Sequence, residues 1–113
     1  MIRRGEIYWV NLDPTIGSEI KKTRPALVVS NDQNNQFAET VTILPVTSQA
    51  HSVYPFEVAV KKGMGGLKED GKIKANQIRT VDKQRLSARP VGSVLPESLM
   101  EQVVQAMKIH LAM

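Results

Sequence analysis

Helix-like periodicity occurs in only one stretch of this chain, and that restriction narrows the fold more than any other feature. From Pro96 to Leu111 the apolar residues Leu99, Val103, Met107 and Leu111 recur every four positions, with Met100, Val104 and Ala106 widening the stripe. Pro96 suits the first helical position, Glu97 and Glu101 lie early, and Lys108 and His110 lie late, as the helix dipole favours. Upstream, Pro, Gly, Asn and Asp cut the chain into short pieces. Ile7–Leu12, Pro25–Ser30, Thr40–Thr47, Tyr54–Val60, Lys72–Val81 and Leu86–Val94 are β-branched, aromatic or alternating, and read as strands. Pro45 marks an edge or bulge, and Pro90 and Gly92 interrupt the last run. Asn31–Gln36 is a polar loop with room for one helical turn, Gly63–Gly71 is a flexible connection, and Asp82 caps a single turn through Arg85. Five to six short strands followed by one amphipathic helix imply a mainly β fold with a C-terminal α-helix, a small antiparallel barrel or curled sheet. Trp9 and Phe56 are expected in its core.

At 113 residues the chain is expected to be one domain, 1–113. It has no cysteine, so disulfides and thiolate metal sites are excluded. Its two histidines, His51 and His110, stand too far apart for ligand spacing, and no metal site is expected. No apolar run approaches the ~20 residues a bilayer requires. These features describe a soluble, unexported, cytoplasmic protein. The formal charge is +4, and its distribution says more than its sum. Between Lys61 and Arg89 nine basic residues face three acidic ones, so that half should attract an anionic partner.

The chemistry-bearing stretch is Asp13–Ser30, where a polar loop with Glu19, Lys21, Lys22 and Arg24 runs into the strand opened by Pro25. Arg24 therefore sits at a rim, either paired with Glu19 or Asp13 as a solvated charge or free to grip an anion. There is no phosphate-cradling glycine loop before a helix, no nucleophile elbow and no ligand cluster. What remains is a dispersed polar set at strand ends: Glu19, Arg24, Thr47, Ser48, Gln49, His51, Asn76, Gln77 and Arg79. Cleavage of RNA asks little more of a protein, because the neighbouring 2′-hydroxyl is the nucleophile. A base, cationic donors for the phosphate and an acid for the leaving oxygen suffice. Glu19 fits the base, the Arg24 fork fits the phosphate, and Thr47 fits a hydrogen-bond donor or simply a satisfied strand-end hydroxyl. His51 is an exposed loop histidine or a candidate acid. Tyr54, Phe56 and Trp9 have the ring faces on which unpaired bases stack.

Four segments together resemble the MazF/PemK (Kid) family of toxin endoribonucleases: Arg4–Glu19, Thr23–Asp32, Thr47–Gln49 followed by Tyr54–Val58, and Gln77–Leu86. The resemblance implies an SH3-like barrel with a C-terminal helix, a homodimer, and sequence-selective, cofactor-free cleavage of single-stranded mRNA to a 2′,3′-cyclic phosphate and a 5′-hydroxyl. It places the catalytic arginine on Arg24, the active-site threonine on Thr47 and the loop carboxylate on Glu19. Lys21, Lys22, Ser48, Gln49, His51, Asn76, Gln77 and Arg79 would then bind RNA. It also implies a cognate antitoxin with an acidic C-terminal tail and, through that antitoxin, operator DNA. One departure stands out: Asn76 occupies a position where some members carry an aspartate proposed as base, and an amide cannot take that proton. A non-catalytic barrel gripping nucleic acid or a topoisomerase, as in the CcdB toxins, is the alternative.

Overall fold

The structure, a computed structural model, describes residues 1–48 and 51–113. Strand β1 (Ile7–Asn11) pairs antiparallel with β2 (Thr23–Val28), and β2 pairs with the long β3 (Thr40–Thr47). Between β2 and β3 lies the short helix α1 (Asp32–Phe37), whose N-terminus is capped by the Asn31 side chain accepting from Asn34 N at 2.8 Å. The far edge of β3 serves two partners in turn. Its end pairs with β5 (Gly71–Lys74), which pairs with β4 (Glu57–Val60), and its beginning pairs with β6 (Arg79–Asp82). Helix α2 (Glu97–Leu111) closes one side.

The sheet curls until its ends meet. After β6 the chain makes a 3-10 turn, with Asp82 capping Gln84 N at 2.8 Å as expected, and returns along the free edge of β1. There Leu86 bridges Val10, Ser87 N donates to Trp9 O and Val91 N donates to Ile7 O. Strand alternation then sorts the apolar residues onto two faces. Ile7, Leu27, Leu44, Val46, Val58 and Ile73 pack against Val103 and Ala106 of α2, while Tyr8, Val10, Leu12, Ala26, Val28, Val41, Ile43 and Val81 fill the inside of the curl. Each fully buried leucine or isoleucine contributes roughly 1.5–3 kcal/mol.

Several expected elements take another form. Lys72–Val81 is two strands, because Ala75–Gln77 forms a 3-10 turn, tied by Ala75 N to Phe56 O, that swings the chain from one half of β3 to the other. Leu86–Val94 follows β1 without becoming a strand; Pro90 has no donor, and Gly92 packs against the Gly66 backbone. The fourth strand begins at Glu57 and not Tyr54, since Glu57 N closes a turn on Tyr54 O. Trp9 is 46% exposed: the Gly65 loop lies against Ile7 on that face but leaves Trp9 along a cleft. Phe56 is only half-buried, and Leu111 lies beyond the sheet, 45% exposed. Pro96 occupies the cap position just before the helix.

Candidate functional site

Arg24 and Thr47 are brought together by the pairing of β2 with β3. Strands β2 and β3 pair Ala26 with Pro45 and Val28 with Ile43, and beyond that ladder Arg24 and Thr47 line one cleft. On the far side of β3, Thr47 pairs with Lys72. Directly opposed side chains lie about 5 Å apart at their Cβ atoms. Thr47 thus joins Lys72 across the sheet and Arg24 across the cleft, a row of side chains from β2, β3 and β5.

Two groups in this row are poised for a ligand. The Arg24 Nε–H donates to Lys21 O at 3.2 Å, which leaves the terminal fork free, and among the described residues no carboxylate pairs with it. The rim-charge reading, in which Glu19 or Asp13 neutralises Arg24, therefore does not hold. The Thr47 hydroxyl is buried and has no hydrogen-bond partner among the described residues. A buried hydroxyl without a partner costs about 1–3 kcal/mol, and one that shares a cleft with an unpaired guanidinium is available to a hydrogen-bonding ligand.

Arg24 and Thr47 line one of two clefts in this part of the molecule. One, of about 240 Å³, is lined by Trp9, Thr23, Arg24, Pro25, Thr47, Ser48 and the loop Gly66–Gly71. The other, of about 280 Å³, holds Glu19, Asn76, Gln77 and Arg79 around Leu12 and Pro45. Glu19 is thus not in contact with Arg24; its Oε1 accepts from Ile16 N at 2.5 Å within its own loop. Asn76 presents a buried Oδ1 without a partner, and Gln77 holds the loop by accepting from Ile20 N at 3.3 Å. Arg79 and Arg85 brace the base of the same loop, donating to Leu12 O at 2.6 Å and Asn11 O at 3.0 Å. Lys21, Lys22 and His51 are exposed, whereas Gln49 lies outside the described residues.

The basic half is less free than its composition suggests. Lys72 and Lys74 both pair with the carboxylate of Glu57, at 3.1 and 3.2 Å, and Glu57 also accepts from Tyr54 N at 3.0 Å. This buried cluster escaped sequence reasoning. The legible signal was an acid in an otherwise apolar strand, facing two lysines spaced for one face of the next. Also missed were Glu69 and Asp70, which line the first cleft. Among the described residues no group of three or more His, Cys, Asp or Glu is arranged to hold a metal ion, and no helix is long and apolar enough to cross a membrane.

Comparison with known proteins adds an independent line. Residues 3–111 match the model of the PemK-like, MazF-like toxin of type II toxin-antitoxin systems. The chain is 46% identical to endoribonuclease MazF9 of Mycobacterium tuberculosis, over 98% of this chain and 97% of that protein. The crystal structure of MazF from Deinococcus radiodurans superposes with a TM-score of 0.84 at 29% identity, covering 99% of this chain and 97% of that one. The MazE-MazF complex from the same organism gives 0.77 at 27% identity, covering 99% and 97%.

Proposed function

The chain belongs to the PemK-like, MazF-like toxin family of type II toxin-antitoxin systems, and from that premise we propose that it is an endoribonuclease that cuts single-stranded mRNA in the cytoplasm without a metal ion. The observation that carries this reading is a Thr47 hydroxyl, unpartnered among the described residues, sharing a cleft with a guanidinium that no described carboxylate neutralises.

The reaction follows from those groups. The 2′-hydroxyl attacks the adjacent phosphorus and its proton passes through a water to Glu19, which faces the second cleft with its Oε2 not bound to Ile16 N. The bond to the 5′-oxygen breaks and that oxygen takes a proton from solvent water, leaving a 2′,3′-cyclic phosphate and a 5′-hydroxyl. Charge accumulates on the equatorial phosphate oxygens, where the Arg24 fork donates two parallel hydrogen bonds and Thr47 a third. Arginine keeps its charge throughout, so it stabilises and does not shuttle protons. Asn76, Gln77 and Arg79 in the second cleft, with Lys21, Lys22, Ser48, Gln49 and His51 around it, would hold the strand. The active form is a homodimer. An antitoxin with an acidic tail competes for the same cationic row, because carboxylates mimic phosphates, and carries the complex to operator DNA.

Purified protein incubated with long single-stranded RNA in excess chelator tests the reading. Fragments ending in a cyclic phosphate, lost on Arg24→Ala, support it; RNA that is bound and left intact supports a non-catalytic module in its place.

A further inference from the structure

We propose that Tyr54 is a nucleobase-stacking platform for the single-stranded substrate, built into this chain beside the reacting phosphate and held rigid by the buried Glu57–Lys72–Lys74 cluster. The proposal rests on the endoribonuclease reading and names one subsite within it.

The geometry has three parts. Tyr54 is 56% exposed, yet its ring is not loose: it lies parallel to Phe56 with centroids 5.5 Å apart and 7° between the planes, so it is packed against a neighbour while more than half of the residue meets solvent. Its backbone is fixed as well, through Tyr54 N to Glu57 Oε1 at 3.0 Å and the return bond from Glu57 N to Tyr54 O at 2.9 Å. Lys72 completes the frame. Its ammonium pairs with Glu57, donates to Ser52 O at 3.3 Å and sits 5.9 Å from the Tyr54 centroid.

The platform is registered to the site by Lys72. This residue is the direct cross-strand partner of Thr47, so the cation that holds the Tyr54 ring stands on the same face of the sheet as the group assigned to the phosphate. Strands ~4.8 Å apart put Lys72 one strand from Thr47, which lines the same cleft as Arg24. A strand whose reacting phosphate rests on Arg24 and Thr47 then runs toward the ring. A prearranged aromatic face next to a cation is what unpaired bases use, and it accepts any base because every base has a π-face. Glu57 leaves the two lysines with one net positive charge, enough to attract a phosphate without scattering the loop by repulsion.

Steady-state cleavage of long single-stranded RNA by the wild type, Tyr54→Ala, Tyr54→Leu and Tyr54→Phe tests the assignment. Loss of the ring in the first two variants is expected to raise KM roughly 5- to 150-fold with kcat changed less than about threefold, and Tyr54→Phe is expected to behave as wild type. Unchanged KM in both ring-less variants overturns the proposal, as does a Tyr54→Phe that fails as badly as Tyr54→Ala, which would assign the effect to the hydroxyl. Weakened antitoxin binding with unchanged KM also overturns it, making the ring a protein contact. Thermal melting of each variant separates loss of fold from loss of stacking, and Tyr54→Leu retains an apolar contact with Phe56. If the wild type itself leaves RNA intact, the endoribonuclease reading fails; if it cuts and KM ignores Tyr54, only the platform does.

Discussion

Glu57→Gln removes one charge, preserves the shape of the side chain, and tests whether the ion cluster behind the site is a structural necessity. The carboxylate is 5% exposed and holds Lys72 Nζ at 3.1 Å, Lys74 Nζ at 3.2 Å and Tyr54 N at 3.0 Å. After the change both ammoniums remain, facing a neutral amide. Breaking a buried pair by deleting one partner costs about 3–5 kcal/mol. The Lys74 side chain is 23% exposed and can turn to water, so the lower end applies, about 3 kcal/mol. For a chain of this size that lowers Tm by about 10–20 °C. The loss must also depend on pH. Burial alone pushes the Glu57 carboxyl up, but the Tyr54 N–H and the two ammoniums outweigh it, and its pKa lies below the ordinary 4.5. A carboxyl with a depressed folded pKa stabilises fully above its unfolded value and loses that contribution as pH falls through the folded one. The gap between wild type and variant is therefore full at neutral pH and narrows below about pH 4.5. Urea melts from neutral pH down to about pH 3 read it directly. A variant within about 1 kcal/mol of wild type at neutral pH, or a gap that stays constant into acid, refutes the reasoning. Replacing all three charges together, as Glu57→Leu with Lys72→Met and Lys74→Leu, should recover most of the loss, because an apolar cluster carries no desolvation cost.

Thr47→Val should cut kcat by roughly 10- to 1,000-fold while leaving stability unchanged or raising it by up to about 1 kcal/mol, since it deletes a buried hydroxyl that nothing satisfies; rate assays and urea melts on one preparation check both signs. Gly71→Ala should impair cleavage and cost about 2 kcal/mol or more, because a Cβ there would run into the Thr47 carbonyl oxygen. Asn35→Ala should destabilise by about 2–3 kcal/mol in thermal melts, as the fully buried amide accepts from Ser30 Oγ at 2.5 Å and donates to Ser30 O at 2.9 Å. RNA affinity should fall steeply and log-linearly with salt, with a shallower slope for Arg24→Ala; an affinity indifferent to salt would remove the cationic row from the binding path.

Much of this was legible in the residue pattern because period and punctuation are local properties. The strands at Ile7, Pro25 and Thr40, the cap at Asp82 and the terminal amphipathic helix follow from which side chains repeat at two or four residues and where proline, glycine and asparagine interrupt them. Pro25 already placed Arg24 at a strand end, and the family segments placed it beside a threonine. The split of Lys72–Val81 was not legible, since a 3-10 turn there is decided by the need of β3 to pair with two strands along one edge. Nor was the separation of Glu19 from Arg24: both belong to one loop-and-strand segment, yet the loop folds back on Ile16 and leans on Gln77, so the acid faces a different cleft. The exposure of Trp9 depended on the cleft that the Gly66–Gly71 loop leaves beside it, and the pairing of Glu57 with two lysines on a register that no single strand contains. Sequence determined which residues are strand, cap and helix, and hence that a cation would stand at the mouth of a curled sheet. Tertiary structure alone decided that its neighbours there are an unpaired hydroxyl and a tethered lysine, because cross-strand contact depends on register, and register is set by the whole fold.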